Sequence, residues 1–339
     1  MTKHYLLEVE QQVNKTHGRL GALYVACMIA IKARKMMLII APRGTGKSRA
    51  TLAVAEQYQD CAKYDRISIA GLAYEAEKFN GFTGVLMVDD IAKTQTSYAR
   101  VATICTLAEL TYSHYVISSM QGSHYEILDF HGSALVNIQP VLLRELVLSN
   151  EWEASIQDKT MRYYHLFRPT KPNPLPPAVK IDWGYDLKNV HDALPHGKAL
   201  QALFAVVGVQ WGATRLVEHS SDMLKACAAL DKRNDVTVAD INVLSHIMKP
   251  LQYEELVTDK LNFESDRRLD ANRLAILTEY MSYGNFTIEQ IAEDYKLSLS
   301  QCYRIMAKYA TDWTQIRKSP TVFAPSDTLR DKLRKVGIQ

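Results

Sequence analysis

An unbroken apolar run, Met36-Met37-Leu38-Ile39-Ile40, empties directly into Ala41-Pro42-Arg43-Gly44-Thr45-Gly46-Lys47-Ser48, and no other segment of the chain limits its fold so tightly. Five apolar residues without polar alternation read as a strand covered on both faces, which belongs to a parallel α/β sheet. The segment after it meets the pattern G-x-x-x-x-G-K-[ST] except at its first position, where Ala41 stands for glycine. Glycines let such a loop turn successive N–H groups toward a phosphate, and the helix that follows offers its positive dipole end. Pro42, Arg43, Gly44, Thr45, Gly46, Lys47 and Ser48 are therefore the expected contacts for ATP. Lys47 neutralises the β and γ oxygens, and the Ser48 hydroxyl ligates Mg²⁺.

At 339 residues the chain is too long for one ordinary core and suits two or three domains. A hydrophobic content of 47% is that of a folded, soluble protein. The first residues, Met1-Thr2-Lys3-His4-Tyr5-Leu6-Leu7-Glu8, lack the apolar centre and small-residue cleavage site of a signal peptide, so a cytoplasmic location is expected. The five cysteines are scattered and form no C-x-x-C pair, which argues against a disulfide framework or a zinc site.

Residues 5–35 read as helical, and a helix over about 48–59 leaves the loop. A second strand, Gly84-Val85-Leu86-Met87-Val88, ends in Asp89-Asp90, and a third, His114-Tyr115-Val116-Ile117-Ser118-Ser119, follows a helix over about 98–110. Strands alternating with helices predict an open three-layer α/β domain. Five of the eleven prolines stand at 169, 172, 174, 176 and 177, a linker or a stiff surface crossing. The expected division is an α/β core over 1–170, a helical unit over 171–260 and a last module over 261–339.

The strand that ends in two acids is expected beside the loop strand, with Asp89 holding Mg²⁺ through water and Asp90 orienting and deprotonating an attacking water. Asp90 is shorter than the Glu that often serves there, which leaves open a nucleotide switch that hydrolyses slowly. Ser118 and Ser119, at the tip of the third strand, are placed to meet the γ-phosphate or the lytic water; either also reads as a helix cap.

Apolar strand, phosphate loop, acid pair, polar strand tip and a later helical module together resemble the AAA+ ATPases. Gly212-Ala213-Thr214-Arg215 and the helix it opens are similar to the lid of MCM helicases, MoxR-type ATPases and origin-recognition initiators. Ser68-Ile69-Ala70-Gly71-Leu72, followed by Gly84 and Asp89-Asp90-Ile91-Ala92-Lys93, resembles the stretch leading into the acidic motif of MCM and MoxR proteins. The resemblance implies a three-layer P-loop core, a helical lid that sends Arg215 to the phosphates, and assembly into a ring, a hexamer by family habit. It also implies an arginine completing the next subunit's site. Arg162 matches that position best and Arg144 second; either also reads as an ordinary solvated residue. The spans 71–84 and 90–114 are too short for both hairpin insertions of MCM helicases at full size.

Near the C-terminus, Thr287-Ile288-Glu289-Gln290 and Ser298-Leu299-Ser300-Gln301 are two capping boxes opening short helices across a turn at Lys296-Leu297, the spacing of a helix-turn-helix. Residues 313–317 and 321–324 would form the strands of a wing. Ile291, Ala292, Leu297, Cys302 and Ile305 face inward, which turns Ser300, Gln301, Arg304 and Lys308 outward. Residues 298–339 hold eight basic residues against three acidic, although the whole chain carries only +3. That local excess favours DNA as the partner, met by the second helix and by Arg317 and Lys318 of the wing. The reading is an ATP-dependent enzyme that binds and remodels DNA. The rival is a MoxR-like ATPase whose winged helix binds a protein.

Overall fold

The first part of the chain holds seven strands: β1 (Met36–Ile40), β2 (Cys61–Tyr64), β3 (Val85–Val88), β4 (Val116–Met120), β5 (Ser123–Ile127), β6 (Ser133–Ile138) and β7 (Thr160–Tyr164). The computed structural model describes residues 3–42, 44–89, 91, 96–120, 123–166, 171, 173–191, 197–208, 210–252, 254, 285–295, 298–308, 310–311, 313–318 and 321–327. Five of the strands form a parallel sheet in the order β2-β3-β6-β1-β7. β1, β3, β6 and β7 are buried at every position, as strands covered on both faces must be; β1 and β3 are accordingly unbroken apolar runs, while β6 and β7 also bury Ser133, Asn137, Thr160 and Arg162.

Alternate residues of β1 feed two separate cores, because successive strand side chains point to opposite faces. Met37 and Ile39 pack with α1 (Tyr5–Thr16), α2 (Gly21–Lys32) and α3 (Lys47–Ala55). Met36, Leu38 and Ile40 pack on the other face with α4 (Ile69–Tyr74), α5 (Ala76–Phe79), α6 (Ser97–Ser113) and α7 (Pro140–Val147). α2 is apolar all round and buries ten of its twelve residues, the pattern of a helix enclosed by others. What encloses it includes α8 (Lys198–Val207), α9 (Ala213–Leu230) and α10 (Val238–Ile247), whose apolar faces continue the first core.

Two expectations change. The strand at 114–119 is not in the central sheet: β4 pairs antiparallel with β5 as a hairpin, packed against α4, α5 and α6. The strand next to the acid-tipped β3 is β6, so β6 lies between β3 and β1, which were expected to touch. Of the two readings of the proline-rich stretch, a linker or a surface crossing, its described part has the contacts of a crossing: His17 Nε2 bonds the Leu175 carbonyl at 2.7 Å and Arg49 donates to the Asn173 carbonyl at 2.7 Å, and just beyond it Trp183 Nε1 donates to the Gln57 carbonyl at 2.7 Å.

The last module has β8 (Phe286–Thr287), α11 (Ile288–Tyr295), α12 (Leu299–Lys308), β9 (Trp313–Lys318) and β10 (Thr321–Pro325). Its strands form an antiparallel sheet ordered β8-β10-β9. Both capping boxes form: Gln290 N–H donates to Thr287 Oγ1 while Thr287 N–H donates to Gln290 Oε1, and Ser298 and Gln301 exchange the same bonds. Phe286 meets Trp313 edge to face at 5.0 Å. β8, two residues long, is too short to leave a periodic signal and was not expected. The turn at 296–297 and the helical pattern over 270–283 lie outside the described residues. No helix among the described residues is long and apolar enough to cross a membrane.

Candidate functional site

The parallel sheet gathers the sequence's polar strand ends at one edge. β1 runs into the loop, and α3 starts directly after it with Gly46 as its N-terminal neighbour at φ 84°. Gly44 is also left-handed, at φ 79°. A side chain at either position would be strained, so the turn demands the two glycines. Among the described residues no side chain caps α3, and a helix start of this kind turns its positive dipole end toward an anion. Thr45 is buried, its hydroxyl donating to the Pro42 carbonyl at 3.0 Å. Arg43 lies outside the described residues.

Asp89 follows β3, and its N–H donates to the Tyr64 carbonyl at 3.0 Å. Asn137, fully buried on β6, lies level with it, since Val88 pairs with Val136. The Asn137 amide donates to Asp89 Oδ1 at 3.3 Å and to Thr51 Oγ1 at 3.1 Å. Thr51 in turn donates to the carbonyls of Lys47 and Ser48, at 3.1 and 3.2 Å. One side chain on the intervening strand thus ties the acid strand to the first turn of α3. Asn137 Oδ1 is buried with no hydrogen-bond partner among the described residues. Ser48 and Asp89 line one cleft of about 620 Å³, together with Arg49, Lys63, Tyr64 and Asp65. Hydroxyl and carboxylate oxygens suit a hard divalent cation, so this donor set fits Mg²⁺. Asp90 lies outside the described residues.

Two residues of this edge escaped the sequence reading. Asn137 interrupts the apolar stretch 134–138 of β6, and that interruption was the available signal. His165, after β7, bonds the Thr45 carbonyl through Nε2 at 3.2 Å, and nothing local in the sequence marks it.

Other expected site residues lie elsewhere. Ser118 and Ser119 are on the β4–β5 hairpin, opposite Tyr125 and His124, and not on a strand of the central sheet. Arg162 is fully buried on β7. Its guanidinium meets both Glu254 oxygens at 2.7 Å and the carbonyls of Gln157, Thr160 and Gln210. A side chain so enclosed cannot reach a neighbouring subunit. The side chain of Arg144, on α7, lies outside the described residues. Arg215 stacks over the Tyr112 ring at 4.3 Å and pairs with Glu218 at 2.7 Å. Tyr112 ends α6, and Asp222 of the same α9 pairs with Lys35, just ahead of β1, at 2.5 Å. Both contacts lie at the amino ends of the strands, so Arg215 is across the sheet from the loop.

On α12, Ser300 and Arg304 are exposed, with Arg304 Nε donating to the Ser300 carbonyl at 3.4 Å. Gln301 is exposed, but its side chain folds back on Ser298, so it is occupied as a cap. Arg317 and Lys318 are exposed on β9. Lys308 ends α12, and its side chain lies outside the described residues. No protein-family model matches the chain, and no curated protein shows a significant match to it.

Proposed function

We propose that this chain is a magnesium-dependent ATPase of the AAA+ kind, hydrolysing ATP to ADP and phosphate, that forms a ring and remodels DNA through a C-terminal winged helix. The carrying observation is the convergence at one sheet edge of an uncapped helix start behind two left-handed glycines, a carboxylate on β3 and a buried amide between them. In this reading Lys47 neutralises the β and γ oxygens and the loop N–H groups hold the β-phosphate. Ser48 and Asp89 hold Mg²⁺, which when bound screens the phosphate charge. Asn137 fixes Asp89 through its amide, and Asp90 is the base. With Arg162 and Arg215 committed elsewhere, neither is the arginine of this reaction.

A second reading, a protein-remodelling ATPase, is favoured by Leu299, Tyr303 and Ile316, which stand about half exposed on the same module as Arg304 and Arg317. ATPase rate measured with and without single- and double-stranded DNA, at two salt concentrations, separates the two. Stimulation that fades with salt supports the DNA reading. A DNA-indifferent rate supports the protein reading, and no turnover at all rejects both.

A further inference from the structure

We propose that His165 is the positioning residue of the phosphate loop, holding the Thr45 carbonyl so that residues 44–48 keep the turn that points their N–H groups outward. The function assigned to the loop rests on the nucleotide reading above; the holding of the loop does not.

The geometry starts from β7. It pairs with β1 up to Tyr164 opposite Ile40, and the next N–H, that of His165, donates to the Ile40 carbonyl at 2.9 Å. On the other side of β1, the Ala41 N–H donates to the Ile138 carbonyl at 3.1 Å. The chain therefore enters the loop clamped from both neighbouring strands. Beyond that clamp, His165 reaches the loop itself. Its ring is buried, with Nε2 3.2 Å from the Thr45 carbonyl oxygen. Among the described residues this is the only hydrogen bond that oxygen receives.

A trans peptide points its C=O and its N–H in opposite directions. Holding the Thr45 carbonyl toward the protein interior thus turns the Gly46 N–H the other way, toward the open side of the loop. The left-handed φ angles at Gly44 and Gly46 complete that arrangement, and Thr45 adds its hydroxyl bond to Pro42. Because the acceptor is a carbonyl, Nε2 carries the proton, so a neutral imidazole is the working form. Burial draws its pKa down to about 4, with the Lys47 charge acting in the same direction against the bond to Thr45.

His165 has little freedom to move. Tyr164 before it donates to Glu254 at 2.8 Å, and Arg162 is buried in its own network. The donor is held by its strand, as a positioning group must be.

The test compares His165→Leu, His165→Asn and His165→Gln. Leucine fills the space without a donor, asparagine carries a donor that stops short, and glutamine reaches about as far as Nε2. Amide hydrogen exchange is measured on residues 44–48 of the nucleotide-free protein, with β1 and α6 as internal references for global unfolding. The expected result is loop exchange roughly three- to tenfold faster in the leucine and asparagine variants, the worth of one hydrogen bond, and near the unaltered rate in the glutamine variant. Unchanged loop exchange in the leucine and asparagine variants overturns the proposal, as does a glutamine variant as fast as the leucine one. MgATP affinity, titrated in parallel, should fall by a similar factor in the leucine and asparagine variants. If the unaltered protein takes no MgATP while the exchange pattern holds, the nucleotide reading fails and the positioning role stands.

Discussion

Asn137 is a residue whose importance comes from its neighbours. Its amide spans the gap between Asp89 and Thr51, and its buried carbonyl oxygen has no partner among the described residues. Asn137→Ala removes both amide bonds without touching the loop. Turnover should drop by at least about tenfold, the loss of one positioning group, with MgATP affinity nearly kept; steady-state kinetics beside a binding titration checks this. Lys47→Ala should do the reverse. Losing a charged hydrogen-bond donor to the phosphates should weaken MgATP binding by about 1.5–3 kcal/mol, with an unchanged circular dichroism spectrum.

β7 and α10 show that elements here are secured by buried charge as well as by apolar packing. Arg162 of β7 and Glu254 are both buried and share two 2.7 Å bonds, so removing one strands the other. Arg162→Leu should cost about 3–5 kcal/mol by urea unfolding, and adding Glu254→Leu should recover most of that loss. α10 opens on a capping box in which Asp240 accepts from the Thr237 N–H at 2.8 Å. Burial alone would raise the Asp240 pKa, but the bonds from His4, Arg233 and the Thr237 N–H outweigh it and bring the pKa to about 2. A carboxylate depressed in the folded state stabilises above its unfolded pKa and loses that contribution as pH falls through its folded one. About 2 kcal/mol should therefore disappear between roughly pH 4 and pH 2. The stability gap between the unaltered protein and Asp240→Asn, followed by urea midpoint against pH, should close over that window.

At the scale of the whole molecule, the last module buries Phe286, Ile288, Ile291, Cys302, Met306 and Trp313 and stands apart in sequence from the loop edge of the sheet. Arg304 is exposed on α12 and Arg317 and Lys318 on β9. Arg304→Ala combined with Lys308→Ala should weaken DNA binding by a similar factor for every sequence tried and flatten the salt slope by about two, one for each phosphate contact. Fluorescence anisotropy at several salt concentrations measures both quantities, and unchanged affinity would remove α12 as the contact surface.

Local chemistry determined by itself the features that depend on neighbours in sequence. The loop and its two glycines, the buried runs of β1 and β3, and the caps of α11 and α12 are each written into a few consecutive residues, because backbone angles and capping bonds act over that range. Pairing between strands far apart in sequence leaves no such mark. Placing β6 between β3 and β1, and so setting Asn137 against Asp89, depends on which strand best fills the gap in the sheet. The same holds for Arg162 and Arg215: an arginine in sequence shows its charge, and only the tertiary structure decided that one lies sealed against Glu254 and the other at the far edge of the sheet. The segment at 114–119 looked in sequence like a strand of the central sheet, yet it pairs only with β5, and the place beside β3 belongs to β6, buried at all six positions.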